Sequence, residues 1–262
     1  LSGFVCCLET SPMASVQEFK ACIAERIGVP VLEQSLFHDN VEMCDKACLN
    51  TYVNSPLDVS VSIIRSRPPR LYISGGFNRE IAAMNLVKCS WAWEPQRPTC
   101  VAHSAAVVVD RKLYMIGGRA GGNPCSNVEV FDPVSGVWTK LSSMRCERLC
   151  FACAALGGKI YIAGGLDREF GELITAEVFE PQTLTWSQLP NMSIMREGCA
   201  GASSDGKFYV LGGSDCYNPL QSVEAFDPAT GNWSPVPPMT VPRTNLAAVA
   251  AQSQIYAFGG YS

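Results

Sequence analysis

The chain has 262 residues, of which 47% are hydrophobic and 17% are charged, and its formal net charge at pH 7 is −4. This composition is that of a folded protein and excludes intrinsic disorder. The acidic balance argues against binding to nucleic acid, which needs a basic surface. The longest apolar runs fall short of the roughly 18 residues that a membrane helix needs, so we expect no membrane association.

The cysteines indicate a reducing compartment. There are thirteen of them, an odd number, and they do not recur at fixed spacing along the chain. We interpret them as small buried hydrophobic residues and not as a disulfide framework. Because no signal-like segment follows Leu1, the sequence predicts a cytoplasmic protein.

The first 65 residues contain a helical pattern followed by a strand pattern. Apolar residues at helical spacing predict an amphipathic helix over residues 15–27, which Gly28 and Pro30 end. Alternating apolar and polar residues over 58–63 predict a half-buried strand. Residues 66–70, Ser-Arg-Pro-Pro-Arg, are typical of a stiff linker.

In order and spacing, residues 1–65 resemble a ubiquitin-like (β-grasp) domain whose first strand is missing. The residues that carry this resemblance are Lys20, Ile23, Gly28, Pro30, Gln34, Leu36, Asp45, Leu49 and Tyr52. The resemblance implies a built-in recognition module for a ubiquitin-ligase or proteasome component, since no Gly-Gly tail follows Arg65.

Phe37 is the candidate docking residue of this module. We expect it on the sheet near Val59 or Val61, beside His38, as an exposed apolar anchor for a partner. The alternative is a core position against Ile23 and Leu36, because large aromatic side chains are usually buried.

Residues 71–262 are built from repeats. Each repeat has an apolar strand that ends in two glycines, with a tyrosine three positions before the first glycine. The glycine pairs stand at residues 75–76, 117–118, 164–165, 212–213 and 259–260. Such self-similarity at a period of 42 to 48 residues is typical of a repeat architecture.

A second landmark in three of the repeats predicts a hairpin. Residues 131–138, 179–186 and 226–233 each begin with phenylalanine, continue with Asp-Pro or Glu-Pro, and end in tryptophan. The proline presets a turn, and the alternating flanks predict strands on both sides of it. Four short strands per repeat, without helical segments, predict the blades of a β-propeller.

The glycine pairs, tyrosines and tryptophans resemble the kelch repeat, and the resemblance covers about residues 71–262. The last repeat stops after its glycine pair, so we expect an incomplete propeller of about four to five blades. The resemblance implies a scaffold that binds another protein.

The sequence offers little support for a catalytic site or a metal site. The chain has two histidines, His38 and His103, and they fall in different predicted domains. Cys146, Cys150 and Cys153 lie around one predicted strand and lack a second cluster that would complete a metal site. The sequence therefore predicts no enzyme, no metal and no cofactor.

One recurrent residue suggests a binding role. Arg148, Arg196 and Arg243 each lie ten residues after a tryptophan and sixteen before the next glycine pair, and Val101 takes this position in the first repeat. Either each arginine hydrogen-bonds a neighbouring loop carbonyl, or together they form an exposed basic ring that grips acidic side chains. In kelch adaptors similar to this chain, arginine at this position lines the peptide-binding face.

The function that the sequence predicts is protein recognition. The two domains together suggest a substrate receptor or adaptor in ubiquitin-dependent degradation. The alternatives are a kelch protein that organises actin filaments and, third, a propeller enzyme such as a sugar isomerase. The loops at residues 119–127 and 214–222 differ between repeats, as is typical of loops that bind a partner.

Overall fold

The computed structural model describes residues 90–169 and 171–262 in full. Before residue 90 it describes Gln17, Arg79 and the strands at 34–38, 41–42, 62–65, 70–74 and 81–85. Two compact units are distinguished: residues 1–71 with 84–92, and residues 72–83 with 93–262.

The described part of the first unit contains a small antiparallel sheet. Its strands, in the order β2-β1-β3, are β1 (Gln34–His38), β2 (Val41–Glu42) and β3 (Ser62–Arg65). The backbone of Phe37 pairs with Ser62 on one side and with Glu42 on the other.

The remaining predictions for this unit lie outside the described residues. They include Val59, Val61 and the helix over 15–27, of which Gln17 alone is described and is helical. The side chain of Phe37 is not among those described either, so its docking role stays a prediction, as does the ubiquitin-like domain.

Among the described residues, the second, third and fourth repeats each form the predicted four-stranded sheet. The first repeat contributes three: β4 (Arg70–Ser74), β5 (Ile81–Asn85) and β6 (Ser90–Trp93). The second forms a four-stranded sheet of β7 (Ala105–Val109), β8 (Lys112–Ile116), β11 (Val128–Asp132) and β12 (Val137–Lys140), with a two-stranded hairpin of β9 (Arg119–Ala120) and β10 (Asn123–Pro124) in the loop after β8.

The third and fourth repeats form the same four-stranded antiparallel sheet. One consists of β13 (Ala152–Leu156), β14 (Lys159–Ala163), β15 (Ala176–Glu180) and β16 (Thr185–Leu189). The other consists of β17 (Ala200–Ser204), β18 (Lys207–Leu211), β19 (Val223–Asp227) and β20 (Asn232–Val236). The fifth repeat contributes a hairpin of β21 (Thr244–Ala251) and β22 (Gln254–Tyr261).

Turn chemistry explains the hairpin between the third and fourth strands of each blade. In the second repeat the Asp132 carboxylate accepts a hydrogen bond from the N–H of Val134 at 2.7 Å, and Gly136 closes the turn with φ of 71°. Asp227 and Gly231 repeat this arrangement in the fourth repeat. The predicted hairpins are therefore confirmed.

The core lies between neighbouring blades. Phe179 of the third blade is fully buried and packs against Tyr114 of the second, with ring centroids 6.4 Å apart. Trp186 packs beside Phe179, and its indole N–H donates to the carbonyl of Ser142 in the segment that precedes the blade. The aromatic residues of the repeat thus join one blade to the next.

Glycine is required where the segment before the first strand of a blade passes close to the end of its second strand. Gly165 has φ of 96°, and a Cβ atom there would lie 2.6 Å from the carbonyl oxygen of Leu149. Gly213 has the same φ and would meet the carbonyl oxygen of Glu197 at the same distance. The second glycine of these two pairs is therefore structural.

Candidate functional site: the loop face of the blades

The loops after the glycine pairs lie at one edge of the blades. Because the strands are antiparallel, the loop from the second to the third strand lies at the same edge as the crossover to the next blade. Isolated bridges join the two kinds of loop, for example between Leu149 and Leu166 and between Glu197 and Ser214. We call residues 119–127, 166–175 and 214–222, with the crossovers beside them, the loop face.

Arg148 lies beneath this face and is fully buried. Its Nη1 donates to the carbonyl of Gly164 at 2.8 Å, and its Nη2 donates to Glu177 Oε1 at 2.7 Å. The other carboxylate oxygen of Glu177 accepts the backbone N–H of Arg145 at 3.0 Å. One buried ion pair thus ties the crossover segment to the second and third strands of the following blade.

Arg196 repeats this arrangement one blade later. Its side chain is also fully buried, and it donates to the carbonyl of Gly212 and to Glu224, both at 2.8 Å. A hydroxyl lies beside each pair, since Arg148 also contacts Thr175 and Arg196 also contacts Ser222.

The expectation of an exposed basic ring is therefore wrong for Arg148 and Arg196. Both guanidinium groups are directed at backbone carbonyls and a carboxylate of their own chain, which was the alternative that the sequence left open. A charge taken out of water needs such a partner, and glutamates that recur in the third strand supply it.

Arg243 occupies the same position but differs in its surroundings. Its Nη1 donates to the carbonyl of Gly259 at 2.7 Å, and its side chain is partly exposed. In the part of the chain that the structure describes, it pairs with no carboxylate. Partner binding by Arg243 stays a prediction.

The sequence analysis missed Arg97. This residue, 4% exposed, donates through Nε to Glu129 at 2.5 Å and through Nη1 to Ser104 at 3.0 Å. It supplies the ion pair for the repeat in which Val101 takes the arginine position. The available signal was Glu129, which recurs with Glu177 and Glu224 although position 101 holds valine and not arginine.

The loops themselves are exposed and held by their own polar contacts. The Asp167 carboxylate accepts the N–H groups of Glu169 and Gly171, both at 2.9 Å. Asp215 in the next loop accepts the N–H of Asn218 at 3.0 Å. Tyr217 lies between Asp215 and Asn218 in this second loop. Its side chain is 88% exposed, as expected for a residue that contacts a partner protein.

Acidic groups line one part of the loop face. The Glu197 carboxyl has a raised pKa, because partial burial and then the nearby Glu172 carboxylate disfavour its charged form. Glu172 also accepts a hydrogen bond from the Cys216 thiol at 2.6 Å, and this raises the pKa of the thiol. Two of the three predicted arginines are buried, and the part of the loop face around Cys216 carries the carboxyl groups of Glu172 and Glu197.

The described cysteines do not form a metal site. Among the described residues, no three potential metal ligands come together, and Cys146, Cys150 and Cys153 are free thiols. Burial raises the pKa of Cys153 to about 12. None of the helical residues that the structure describes belongs to a helix that is long and apolar enough to span a membrane.

Comparisons with known proteins agree with the repeat pattern. A family model described as the KLHDC2/KLHL20/DRC7 Kelch-repeats domain matches residues 70–260. An F-box/kelch-repeat protein of Arabidopsis thaliana is 38% identical over 78 residues, which are 30% of this chain and 16% of that protein. Human Kelch-like protein 33 is 33% identical over 75 residues, which are 28% of this chain and 14% of that protein.

Alpha-scruin of Limulus polyphemus is 30% identical over 109 residues, 37% of this chain and 12% of that protein. The chain thus matches less than a fifth of the length of each of these relatives. A solved structure, that of YjhT, aligns with a TM-score of 0.65 and 17% identity over 73% of this chain and 69% of the other. That likeness shows the fold alone.

Proposed function

Because this chain belongs to the kelch-repeat family, whose model spans residues 70–260, we propose that it is a protein-interaction scaffold and that its loop face holds the partner protein. The observation that carries the proposal is a difference between two groups of residues in each repeat, those that build the blade and those in the loops. Arginine, glutamate, glycine and tryptophan are used in the same structural way from blade to blade. The loops between them differ in sequence and are exposed.

Within the loop face we place the contact at the loop that carries Tyr217. An exposed tyrosine provides apolar contact area and a polar hydroxyl group for a partner, and it loses little side-chain conformational entropy on binding. The acidic neighbours Glu172 and Glu197 favour a partner segment that carries lysine or arginine. We infer no catalytic role and place the protein in the cytoplasm.

The finer proposal is a substrate receptor or adaptor in ubiquitin-dependent degradation. It is supported by the similarity to an F-box/kelch-repeat protein and by the resemblance of residues 1–65 to ubiquitin-like domains. In this proposal Phe37 lies at the contact with the ligase or proteasome component. Co-purification of such subunits would support it, whereas co-sedimentation with actin filaments would favour the cytoskeletal alternative.

The test of the scaffold role is quantitative affinity capture with matched variants. Proteins recovered with the wild-type chain are compared with those recovered with Tyr217→Ala and with Val134→Ala. Val134 is 70% exposed but lies in the turn at the opposite ends of the strands. Specific partners should fall at least about tenfold with Tyr217→Ala, as for an interface hot spot, and should be unchanged with Val134→Ala. Equal recovery with all three chains would contradict the loop face as the binding site.

A further inference from the structure

A thiol joins the loops of two neighbouring blades. Cys216 Sγ donates a hydrogen bond to Glu172 Oε2 at 2.6 Å, although the two residues are 44 positions apart in the chain. Glu172 belongs to the loop of the third blade and Cys216 to the loop of the fourth, and both loops are part of the loop face. Because this hydrogen bond raises the pKa of Cys216, the thiol stays protonated near neutral pH and acts as the donor.

The backbone around Glu172 is anchored to the blade below it. Glu172 forms an isolated antiparallel bridge with Leu166, and Leu166 in turn bridges to Leu149 in the crossover segment. The N–H of Leu173 donates to the carbonyl of Gly165 at 2.8 Å. The carboxylate that accepts the thiol is therefore carried by a segment with hydrogen bonds on both sides.

The other end of the contact lies in a tight turn. Ser214, at the base of the turn, bridges to Glu197 of the crossover segment and to Pro219. The N–H of Asp215 donates to the carbonyl of Asn218 at 3.3 Å, and the carboxylate of Asp215 accepts the N–H of Asn218 at 3.0 Å. The turn thus places residues 216 and 217 at its tip.

The backbone of Cys216 is in the left-handed region, with φ of 75°. This region is unfavourable for a residue with a side chain, and such a conformation persists only where neighbouring contacts hold it. Two sets of contacts do so here, the hydrogen bonds of the turn to Asp215 and the thiol bond to Glu172. Loss of the thiol bond should therefore make opening of the turn easier.

The position of Cys216 relates it to both groups that we place at the partner contact. Tyr217 follows it directly in the chain, and the Glu172 carboxylate lies within hydrogen-bonding distance of its sulfur. A carboxylate can accept several hydrogen bonds, so a bond from the thiol leaves Glu172 able to accept one from a basic partner group. The thiol bond thus fixes the tyrosine turn relative to the carboxylate.

We propose that Cys216 is a positioning residue of the loop face, whose hydrogen bond to Glu172 holds the turn in the conformation in which Tyr217 and Glu172 meet the partner protein together. This proposal rests on the proposed contact at Tyr217. A loop that is already ordered loses less conformational entropy on binding than a mobile loop does. The hydrogen bond therefore increases affinity through the conformation of the turn.

Native-state amide hydrogen exchange of the full chain tests the hydrogen bond without a partner. The amide of Asn218 reports opening of the turn, because it is bonded to the Asp215 carboxylate. Cys216→Ala removes the thiol donor and should accelerate exchange at Asn218 about threefold or more, as expected for the loss of one hydrogen bond. Cys216→Ser keeps a donor and should stay within about twofold of wild type. Cys100→Ala, which removes another exposed thiol, should leave this exchange unchanged.

Affinity capture with the same variants tests the positioning role. Among the proteins whose recovery depends on Tyr217, Cys216→Ala should lower recovery about threefold or more, and Cys216→Ser should restore it. Unchanged exchange in Cys216→Ala, or equal acceleration in Cys216→Ser, would overturn the proposal. Faster exchange with unchanged recovery would also overturn it, because the bond would then order the turn without affecting binding.

These measurements separate failure of the proposal from failure of the proposed function. Recovery that does not depend on Tyr217 at all would contradict the contact on which the proposal rests, and the positioning role would fall with it. The exchange rates would still show whether the hydrogen bond holds the turn, since they are measured in the absence of any partner.

Discussion

The carboxylate of Glu177 lies 2.7 Å from the guanidinium of Arg148, although the two residues are 29 positions apart in the chain. Neither side chain is more than 3% exposed. The contact joins the crossover segment to the third strand of the following blade, and the same contact recurs between Arg196 and Glu224. The recurrent charges are therefore part of the scaffold.

Removal of one member of this pair should be strongly destabilising. Glu177→Ala leaves a buried guanidinium without its counter-charge, and we expect the free energy of unfolding to fall by about 3–5 kcal/mol. Glu180→Ala is the matched control, since Glu180 pairs with Lys159 at the surface and an exposed pair contributes about 1 kcal/mol or less. Urea denaturation followed by tryptophan fluorescence measures both. Equal losses in the two variants would contradict a stabilising role for the buried pair.

The glycine pair gives a second prediction. Gly165→Ala places a methyl group against the carbonyl of Leu149, whereas Gly158→Ala points into open space at a similarly positive φ of 76°. The control should lose about 1–2 kcal/mol from backbone conformation alone. Gly165→Ala should lose about 1–3 kcal/mol more, the usual range for overpacking. If thermal or urea unfolding shows the same loss for both, the close approach of the Leu149 carbonyl is not what requires this glycine.

Leu184 offers a stabilising change. It occupies the turn position held by Gly136 and Gly231 in the neighbouring blades, with φ of 57°, and its side chain is 49% exposed. Leu184→Gly should therefore raise the free energy of unfolding by about 1 kcal/mol, because the left-handed conformation is unfavourable for leucine. The reverse change, Gly136→Leu, should lower it by a similar amount. An unchanged or lower midpoint for Leu184→Gly would show that the leucine side chain stabilises the turn through contacts.

Thiol reactivity reports on the acidic part of the loop face. The hydrogen bond to the Glu172 carboxylate raises the pKa of Cys216 and holds down its thiolate fraction at pH 8. Glu172→Gln should lower this pKa and so accelerate alkylation of Cys216 by iodoacetamide, read by peptide mass spectrometry.

Two further thiols with raised pKa values, the buried Cys199 and the partly buried Cys153, provide the internal control for that experiment. Burial raises the pKa of Cys153 to about 12 and that of Cys199 to about 11. Both should stay unmodified in the folded chain and react after denaturation. An unchanged rate at Cys216 in Glu172→Gln would show that the carboxylate does not control this thiol.

The blades could be predicted from the sequence because their signals are local and repeated. Paired glycines, the turn after Phe131 and the tryptophan at its end each act within a few residues. Repetition along the chain then separates them from chance. The strands that end in the glycine pairs and the hairpins that follow them could be placed directly from these signals.

The arginines at this repeat position show what local sequence patterns cannot predict. Its recurrence placed Arg148 and Arg196 at equivalent positions, but it could not distinguish exposure from burial. Their glutamate partners stand 29 and 28 residues later, on strands of the following blade. Arg97 was missed because it reaches the equivalent glutamate from a different position in the chain.

The sequence alone therefore determined the repeat, its strands and its turns, since these depend on backbone preferences and alternation within short segments. The tertiary structure decided which charges are buried, because burial depends on how the blades stack and on which carboxylate that stacking brings within reach. Arg243, at the same position of its repeat, is partly exposed and donates to the carbonyl of Gly259. The two buried arginines are stable because each has a glutamate of the third strand within reach.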